Sequence, residues 1–235
     1  MSTTLLPPPS RSRAHRTICD AATLRIPRDA NTLAGFRRWV LSDDFPEKQP
    51  VMYLHGEIFL DMPKENIFTH AAVKTPVALT VGGLFRELDL GHFYINGVLV
   101  TNVDAAISNN PDMVGVLWES LDNGKVRYNT NAKNQAMEVE GSPDWLLEIV
   151  SDGSVEKDKV ALRAAYHEAG VREYWIIDAR GDEIEFQILN WRKSGYVTAK
   201  NKAGWLHSRI LNRDFHLTRE PDQHGGWRYE LAVKG

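Results

Sequence analysis

Two acidic residues, Asp112 and Glu148, are the strongest candidates for chemistry in this sequence. Glu148 interrupts the apolar run Asp144–Val150 (DWLLEIV), and Asp112 begins the apolar run Asp112–Trp118 (DMVGVLW). Both runs have the length and composition of buried strands. A carboxylate buried alone in such a strand is unfavourable unless a cation, a hydrogen-bonding group or a metal ion faces it. Glu148 is therefore the centre of the candidate site.

Strand geometry predicts which acid lies next to Glu148. Asp144 is in the same run, but at ~3.3 Å per residue its Cα atom is roughly 13 Å from that of Glu148. If the two runs pair antiparallel about residue 130, position 112 lies opposite position 148. Like charges at such positions repel. A shared divalent cation, Mg²⁺ or Mn²⁺, would reconcile Asp112 with Glu148, because such ions bind carboxylate oxygens.

A lysine near these acids would complete a site for phosphoryl chemistry, because it can steady negative charge in a transition state. Lys157 and Lys159 lie at the start of the predicted helix that follows the Glu148 strand. The alternative interpretation is structural, with Glu148 paired to Arg163 or Lys157 and no chemistry at all.

His70 is a weaker candidate in a predicted buried helix. A core histidine that satisfies its hydrogen bonds is the leading interpretation, and a catalytic histidine is the alternative. The aromatic residues Tyr166, Tyr174 and Trp175 are interpreted as core residues, with base stacking as the minority interpretation.

Short strands and helices must position these residues. Val51–Met62 predicts a hairpin around His55–Gly56, and Ile67–Leu88 predicts a buried helix. Val155–Ala169 has helical periodicity and is followed by Gly170, which is typical of a helix C-terminus. Glu173–Asp178 (EYWIID) is a further buried strand. The order strand, helix, strand predicts parallel strands joined by a crossover, and hence an α/β fold with a mixed β-sheet flanked by helices.

The composition limits the class of protein to which this chain can belong. The chain has 235 residues, of which 43% are hydrophobic and 25% charged, as in globular proteins. Residues 1–30, with Arg11, Arg13 and Arg16, predict a disordered basic tail, and residues 31–235 predict a single domain. The net charge of −3 does not favour binding of nucleic acid by bulk positive charge, although it is compatible with a local basic groove.

The single cysteine, Cys19, excludes an intrachain disulfide and zinc sites of the Cys₄ or Cys₂His₂ type. No apolar run approaches the ~18 residues of a membrane span, and no signal-peptide core is visible at the N-terminus. We therefore expect a cytoplasmic protein without a membrane partner.

Several strings, taken together and in this order, resemble the putative restriction endonuclease family of the PD-(D/E)XK nuclease superfamily. The resemblance covers roughly Trp39 to Leu189. The strings are His55–Gly56–Glu57, Met62–Pro63, His70, Pro111–Asp112, Pro143–Ser151 (PDWLLEIVS) and Val171–Asp178 (VREYWIID). The resemblance implies a restriction-endonuclease-like fold with a carboxylate metal site.

Asp112 matches the first Pro-Asp of the family, Asp144 the second, and Glu148 the acid of the (D/E)XK element. Glu57, beside a turn, is interpreted as a solvated acid, and the resemblance adds a supporting acid of the site as the alternative. The superfamily lysine would fall at Val150, and the lysine that family members often carry in the next helix would fall at Leu162. Neither position holds a lysine, which leaves Lys157 and Lys159. Lys157 is preferred because it is next to Asp158, near the helix start.

The leading hypothesis is a Mg²⁺-dependent endonuclease that hydrolyses DNA phosphodiester bonds through Asp112, Glu148 and Lys157. The alternative is a catalytically inactive relative that binds nucleic acid or a protein partner, as the missing lysine suggests. A metal-dependent hydrolase of small phosphoesters is the third hypothesis. By analogy with enzymes that make two cuts in a duplex, a homodimer is also expected.

Overall fold

The computed structural model describes residues 26–43, 45, 51–60, 66–130 and 134–235. Most of the predicted basic tail, residues 1–25, therefore lies outside the described residues. Within the rest of that stretch, Arg28–Asn31 form a 3₁₀-helix in which Ala30 is fully buried. None of the helices described is long and apolar enough to cross a membrane.

A six-stranded central sheet carries the candidate acids at the ends of its strands. The strands are β3 (Gly91–Ile95), β6 (Met113–Leu117), β9 (Trp145–Ile149), β10 (Glu173–Asp178), β11 (Glu185–Asn190) and β12 (Val197–Thr198). Their order in space is β12-β11-β10-β9-β6-β3. Strands β9 and β10 are parallel and the other pairs are antiparallel. The predicted mixed sheet, with a helical crossover between parallel strands, is confirmed.

Strands β9 and β10 lie in the middle of this sheet because both of their faces are covered. Every residue of WLLEI and of EYWIID is buried. Near-continuous apolar sequence of this kind is typical of parallel strands packed on two sides. Glu148 is thus held in the most buried part of the molecule, as its place in the sequence predicts.

The pairing of β6 with β9 brings the two candidate acids together. The register joins Met113 to Leu147, Val114 to Leu146 and Gly115 to Trp145. Its continuation sets position 112 opposite position 148, so the predicted register is confirmed. The chain between the two strands is more than a hairpin loop, because it forms helix α3 (Trp118–Asp122) and two strands of another sheet.

That other sheet, the first sheet, packs against one face of the central sheet. Its strands are β1 (Val51–Leu54), β2 (Glu57–Leu60), β4 (Leu99–Asn102), β5 (Ile107–Asn109), β7 (Val126–Thr130) and β8 (Ala136–Gly141), in the order β2-β1-β5-β4-β8-β7. The predicted hairpin of β1 and β2 is confirmed. Its turn residues His55 and Gly56 have φ of 48° and 94°, as a tight hairpin turn requires. Met62, the predicted end of the hairpin, lies outside the described residues.

A third, C-terminal sheet covers the opposite face, and the sequence did not predict it. It consists of β13 (Leu206–Ser208), β14 (Arg213–Pro221) and β15 (Trp227–Lys234). Alternate residues of the central strands face the two apolar layers that result. Leu146 and Tyr174 pack toward the first sheet, whereas Leu147 and Trp175 pack toward the C-terminal sheet.

Helices α1 (Leu33–Val40), α2 (Ala72–Glu87) and α4 (Leu162–Glu168) complete the layers. The predicted helices are confirmed as helices, but α2 buries only one face, with Leu79 73% exposed, and so is not the buried helix that the sequence predicts. A π-helical turn, Ile67–Ala71, precedes α2, and another, Lys157–Ala161, precedes α4. Gly170, with φ of 76°, follows the end of α4 as predicted.

Candidate active site

A cleft of about 500 Å³ opens where β6 begins and β9 ends. One wall comes from the central sheet and the two π-helical turns, and it is charged. Its titratable residues are His70, Lys74, Asp112, Glu148, Lys157 and Asp158. The other residues of the lining come largely from α1 and the first sheet and are apolar. They include Val40, Leu41, Phe45, Val51, Leu99 and Met137.

Asp112 and Glu148 each bind the backbone of the other's strand. The amide N–H of Asp112 lies 3.4 Å from Glu148 Oε2, and the amide N–H of Ile149 donates to Asp112 Oδ2 at 2.7 Å. The two carboxylates are therefore neighbours across the strand pair, at the position that the register sets.

Glu148 is buried and hydrogen-bonded on its other side. Its Oε1 accepts the hydroxyl of Tyr166 at 2.8 Å and lies 3.2 Å from Asn109 Nδ2. Burial raises the pKa of Glu148 well above its usual range, and the negative charges of Asp158 and Asp112 raise it further, against the opposing effects of Lys157 and Tyr166. The side chain therefore retains a proton more readily than an ordinary glutamate.

Asp112 has the opposite electrostatic environment. Burial alone would raise its pKa, but His70 and Lys74 outweigh that effect and lower it. Lys74 Nζ lies 2.9 Å from Asp112 Oδ1, and His70 Nε2 lies 3.6 Å from Asp112 Oδ2. Lys74 also contacts Asn96 Oδ1 at 3.3 Å. The contacts with Lys74 and His70 therefore favour the charged form of Asp112.

Asp158 and Lys157 form the third part of the charged wall. Lys157 Nζ lies 3.3 Å from Asp158 Oδ1, and the hydroxyl of Ser154 donates to Asp158 Oδ2. Burial raises the pKa of Asp158 to about 6, although Lys157 and Ser154 act against it. Within the described residues, Asp158 Oδ1 is buried and accepts no hydrogen bond. It is an acceptor directed into the site with only an ion-pair partner.

Three other predicted residues lie outside the cleft. Asp144 is fully buried at the far end of β9, where it accepts from Leu117 N–H and the Ser120 hydroxyl. Its role there is structural, and it is separated from Glu148 along the strand as predicted. Lys159 pairs with Asp178 at 2.7 Å and also with the side chain of Glu185. Glu57 is exposed in the β1–β2 hairpin.

The two positions at which the resemblance implies a lysine do not line the cleft. Val150 and Leu162 are both fully buried and pack in the apolar layer between the central and first sheets. A lysine at either position would place its ammonium group among hydrocarbon side chains. The cations of the cleft are instead Lys157, which the sequence predicted, and Lys74, which it did not.

The carboxylate oxygens of the cleft could hold a hard divalent cation. Mg²⁺ takes one or two protein carboxylates and completes its shell with water and phosphate oxygens. Asp112 and Glu148 offer this combination, and Asp158, whose Oδ1 pairs with Lys157, lies on the same wall. Among the described residues, no three His, Cys, Asp or Glu side chains form a complete metal cage. The ligands at hand therefore suit an ion that keeps several waters.

Sequence reasoning missed four residues of this site. Lys74 and Asn109 come from distant segments, and nothing local marks them. Tyr166 was taken for a core residue; it does pack on Tyr174, with ring centroids 5.0 Å apart, but its hydroxyl serves Glu148. Asp158 could have been found, because it is next to the candidate lysine Lys157 in the sequence and could pair with it.

Comparisons with known proteins agree with this fold. The sequence model of the Uma2 family, described as "Putative restriction endonuclease", matches residues 33–220. A crystal structure of a putative nuclease belonging to DUF820, from Anabaena variabilis, has a TM-score of 0.56 and 16% sequence identity. The match covers 77% of this chain and 90% of the other. At that identity it supports the nuclease-like fold alone. No curated protein matches the sequence.

Proposed function

Because this chain belongs to the Uma2 family of putative restriction endonucleases, we propose that it is a metal-dependent nuclease that hydrolyses phosphodiester bonds of DNA. The main support is the pairing of Asp112 with Glu148 at the end of β9, in a cleft that also contains Lys157. Two neighbouring carboxylates with a lysine beside them are the groups that such hydrolysis needs.

In this proposal each residue has a separate task. Asp112 and Glu148 hold Mg²⁺ or Mn²⁺. When bound, such an ion lowers the pKa of water and offsets negative charge on the phosphodiester. Lys157 orients the attacking water or steadies charge in the transition state, and Asp158 positions the lysine. Because Glu148 retains a proton so readily, ion binding releases that proton.

The second candidate is a nuclease-fold protein that binds nucleic acid or a protein partner without cleaving. One observation favours it: Val150 and Leu162, which stand where the resemblance implies a lysine, are fully buried. Lys157 must then replace the missing lysine if the chain is a nuclease. The two proposals differ in whether bound DNA is cut.

A cleavage assay separates them. The full chain is incubated with supercoiled plasmid and with single-stranded DNA, in Mg²⁺, in Mn²⁺ and in EDTA, beside Glu148→Gln and Glu230→Gln. Glu230→Gln makes the same chemical change at an exposed position of β15. We expect metal-dependent cleavage that Glu148→Gln slows at least about a hundredfold, because a lost metal ligand removes several kcal/mol of charge stabilisation.

Glu230→Gln should cut at the unaltered rate. If the unaltered chain leaves all DNA intact, or if Glu148→Gln cuts equally fast, the nuclease proposal fails. DNA binding without cleavage would then favour the second candidate, and metal-dependent hydrolysis of a small phosphodiester alone would favour a small-molecule phosphoesterase.

A further inference from the structure

The acids of the cleft, of which Asp112 and Glu148 would hold the ion, lie below its surface. Glu148 is 4% exposed and Asp158 is 1% exposed. The Asp112 side chain, at 14%, is only slightly more accessible. Since magnesium–oxygen distances are ~2.1 Å, a phosphate that reaches such an ion must come deep into the cleft. The sugar and base attached to that phosphate must enter with it.

The apolar part of the lining suits a nucleobase. Leu41, Leu99 and Met137 contribute aliphatic surface, and Phe45 contributes an aromatic ring. That ring packs edge-on against Trp39, with centroids 5.0 Å apart, so its position is fixed by a second aromatic side chain. Sugar-phosphate backbone gains little from such a surface. Every base, in contrast, has a face that stacks on aromatic side chains.

A paired duplex cannot satisfy both parts of the lining at once. Its bases are stacked on their neighbours inside the helix and its phosphates lie outside, so a base reaches a protein pocket only after it leaves the stack, at a cost in free energy. An unpaired strand presents a phosphate and its base separately. The cleft, at about 500 Å³, is in the size range of pockets that enclose one small ligand.

We propose that the cleft accepts one unpaired nucleotide, with its phosphate at Asp112 and Glu148 and its base against Phe45 and Met137. The substrate is then single-stranded or locally unpaired DNA in preference to an intact duplex. This inference rests on the proposed nuclease function for its chemistry, but strand preference in binding can be measured without cleavage.

The test uses the full chain and three fluorescein-labelled DNAs of one sequence: a single strand, a blunt duplex, and a duplex with a central unpaired bubble. Cleavage is measured in Mg²⁺ and Mn²⁺, and binding by fluorescence anisotropy in Ca²⁺. We expect the single strand and the bubble to be bound and cut at least about tenfold better than the duplex, which must first unpair.

A pair of variants examines the apolar lining. Met137 is 47% exposed at the cleft, and Val197 is 53% exposed on β12, outside the cleft lining. Met137→Glu should weaken binding of the single strand about tenfold, because it puts a charge where the base would stack. Val197→Glu adds the same charge and should change binding less than about twofold, as expected for exposed charges screened by salt.

The outcomes separate this inference from the proposed function. Duplex bound and cut as well as the single strand, or equal binding by the two variants, overturns the inference and leaves the nuclease proposal standing. If no DNA is cut but the single-strand preference and the Met137→Glu defect remain, the nuclease proposal fails and the inference stands. Absence of both cleavage and strand preference overturns both.

Discussion

Glu148 lies between influences that favour opposite charge states. The Tyr166 hydroxyl and the Asn109 amide favour its carboxylate form, whereas burial and two neighbouring acids favour protonation. A divalent cation between the acids would reverse that balance, because it replaces mutual repulsion with attraction to one ion. The charge state of Glu148 and the occupancy of the site are therefore linked.

The raised pKa of Asp158 predicts that the folded protein becomes less stable as the pH rises. Its pKa is 3.8 in an ordinary aspartate and about 6 in the folded chain. Between these values the native state keeps a proton that the unfolded chain has lost, so the free energy of unfolding falls as pH rises. Asp158 alone contributes up to ~3 kcal/mol of that decrease, at 1.36 kcal/mol per pKa unit.

Urea unfolding at several pH values from 4 to 7, in metal-free buffer, measures this effect. Asp158→Asn should show a clearly smaller loss of stability across the interval, because the amide does not ionise. If the free energy of unfolding fell equally with pH in both proteins, Asp158 would have its ordinary pKa in the folded chain.

Lys74 is predicted to compete with the metal ion for Asp112. Its ammonium group lies 2.9 Å from Asp112 Oδ1, an oxygen that the ion would also bind. Lys74→Met should destabilise the ion-free protein by up to ~3–5 kcal/mol, because buried Asp112 loses its lysine partner and keeps His70 and the Ile149 amide. It should also bind Mn²⁺ several-fold more tightly, as measured by the loss of the free-ion EPR signal. Lys159→Met, outside the cleft, serves as the control. Weaker Mn²⁺ binding by Lys74→Met would instead mean that Lys74 holds Asp112 in its binding position.

At the scale of elements, the two π-helical turns bring a histidine, a lysine and an acid to the cleft. Ile67–Ala71 carries His70, and Lys157–Ala161 carries Lys157 and Asp158. π-helical turns are rare in proteins, but those that occur are often found at functional sites. The wider turn changes the direction of the side chains that it carries. Both turns precede an α-helix that packs on the central sheet, so the site is supported by regular structure on each side.

Glu173 is predicted to fasten the C-terminal sheet to the central sheet. Its buried carboxylate accepts from the Ser208 hydroxyl and from the amides of Arg209 and Ile210, at 2.6, 2.7 and 3.3 Å. Glu173→Gln replaces one accepting oxygen with a donor that faces other donors, which should cost ~1–3 kcal/mol. The loss is measured by urea unfolding and by faster proteolysis within β13–β15. Unchanged stability, as expected for Glu230→Gln, would contradict this role.

The elements that could be predicted are those whose own sequence defines them. β9, α4 and β10 follow from two apolar runs, a helical period and a glycine, and the register of β6 on β9 followed from the position of Asp112. The C-terminal sheet was not predicted, because its strands alternate polar and apolar residues weakly and depend on packing against α2. Lys74 was missed for a similar reason, since only the tertiary fold brings α2 to β6.

At the scale of the whole molecule, the central sheet is covered on both faces. The first sheet shares one apolar layer with it, and α2 with the C-terminal sheet shares the other. Neither outer layer has a separate core of comparable size. We therefore propose that residues 31–235 form a single domain, as the sequence predicts.

A single domain of this kind should unfold in one step. Tryptophan fluorescence reports on Trp145 and Trp175, which are both fully buried in the central sheet, and far-ultraviolet circular dichroism reports on all three sheets. Their urea transitions should coincide. Two separated transitions would mean that an outer layer folds independently. The predicted homodimer is a separate question for sedimentation, because cleavage of an unpaired strand needs only one centre.

The reciprocal contacts between Asp112 and Glu148 have a consequence for ancestry. Each acid closes a backbone hydrogen bond at the end of its neighbour's strand, so each contributes to folding whether or not an ion ever binds. A descendant that lost cleavage would still be selected to retain both. Lys157 joins no strand ends and pairs with Asp158, so folding selects for it less directly than for the two acids. Among relatives of this chain, a lysine at that position is therefore better evidence of retained activity than the acids are.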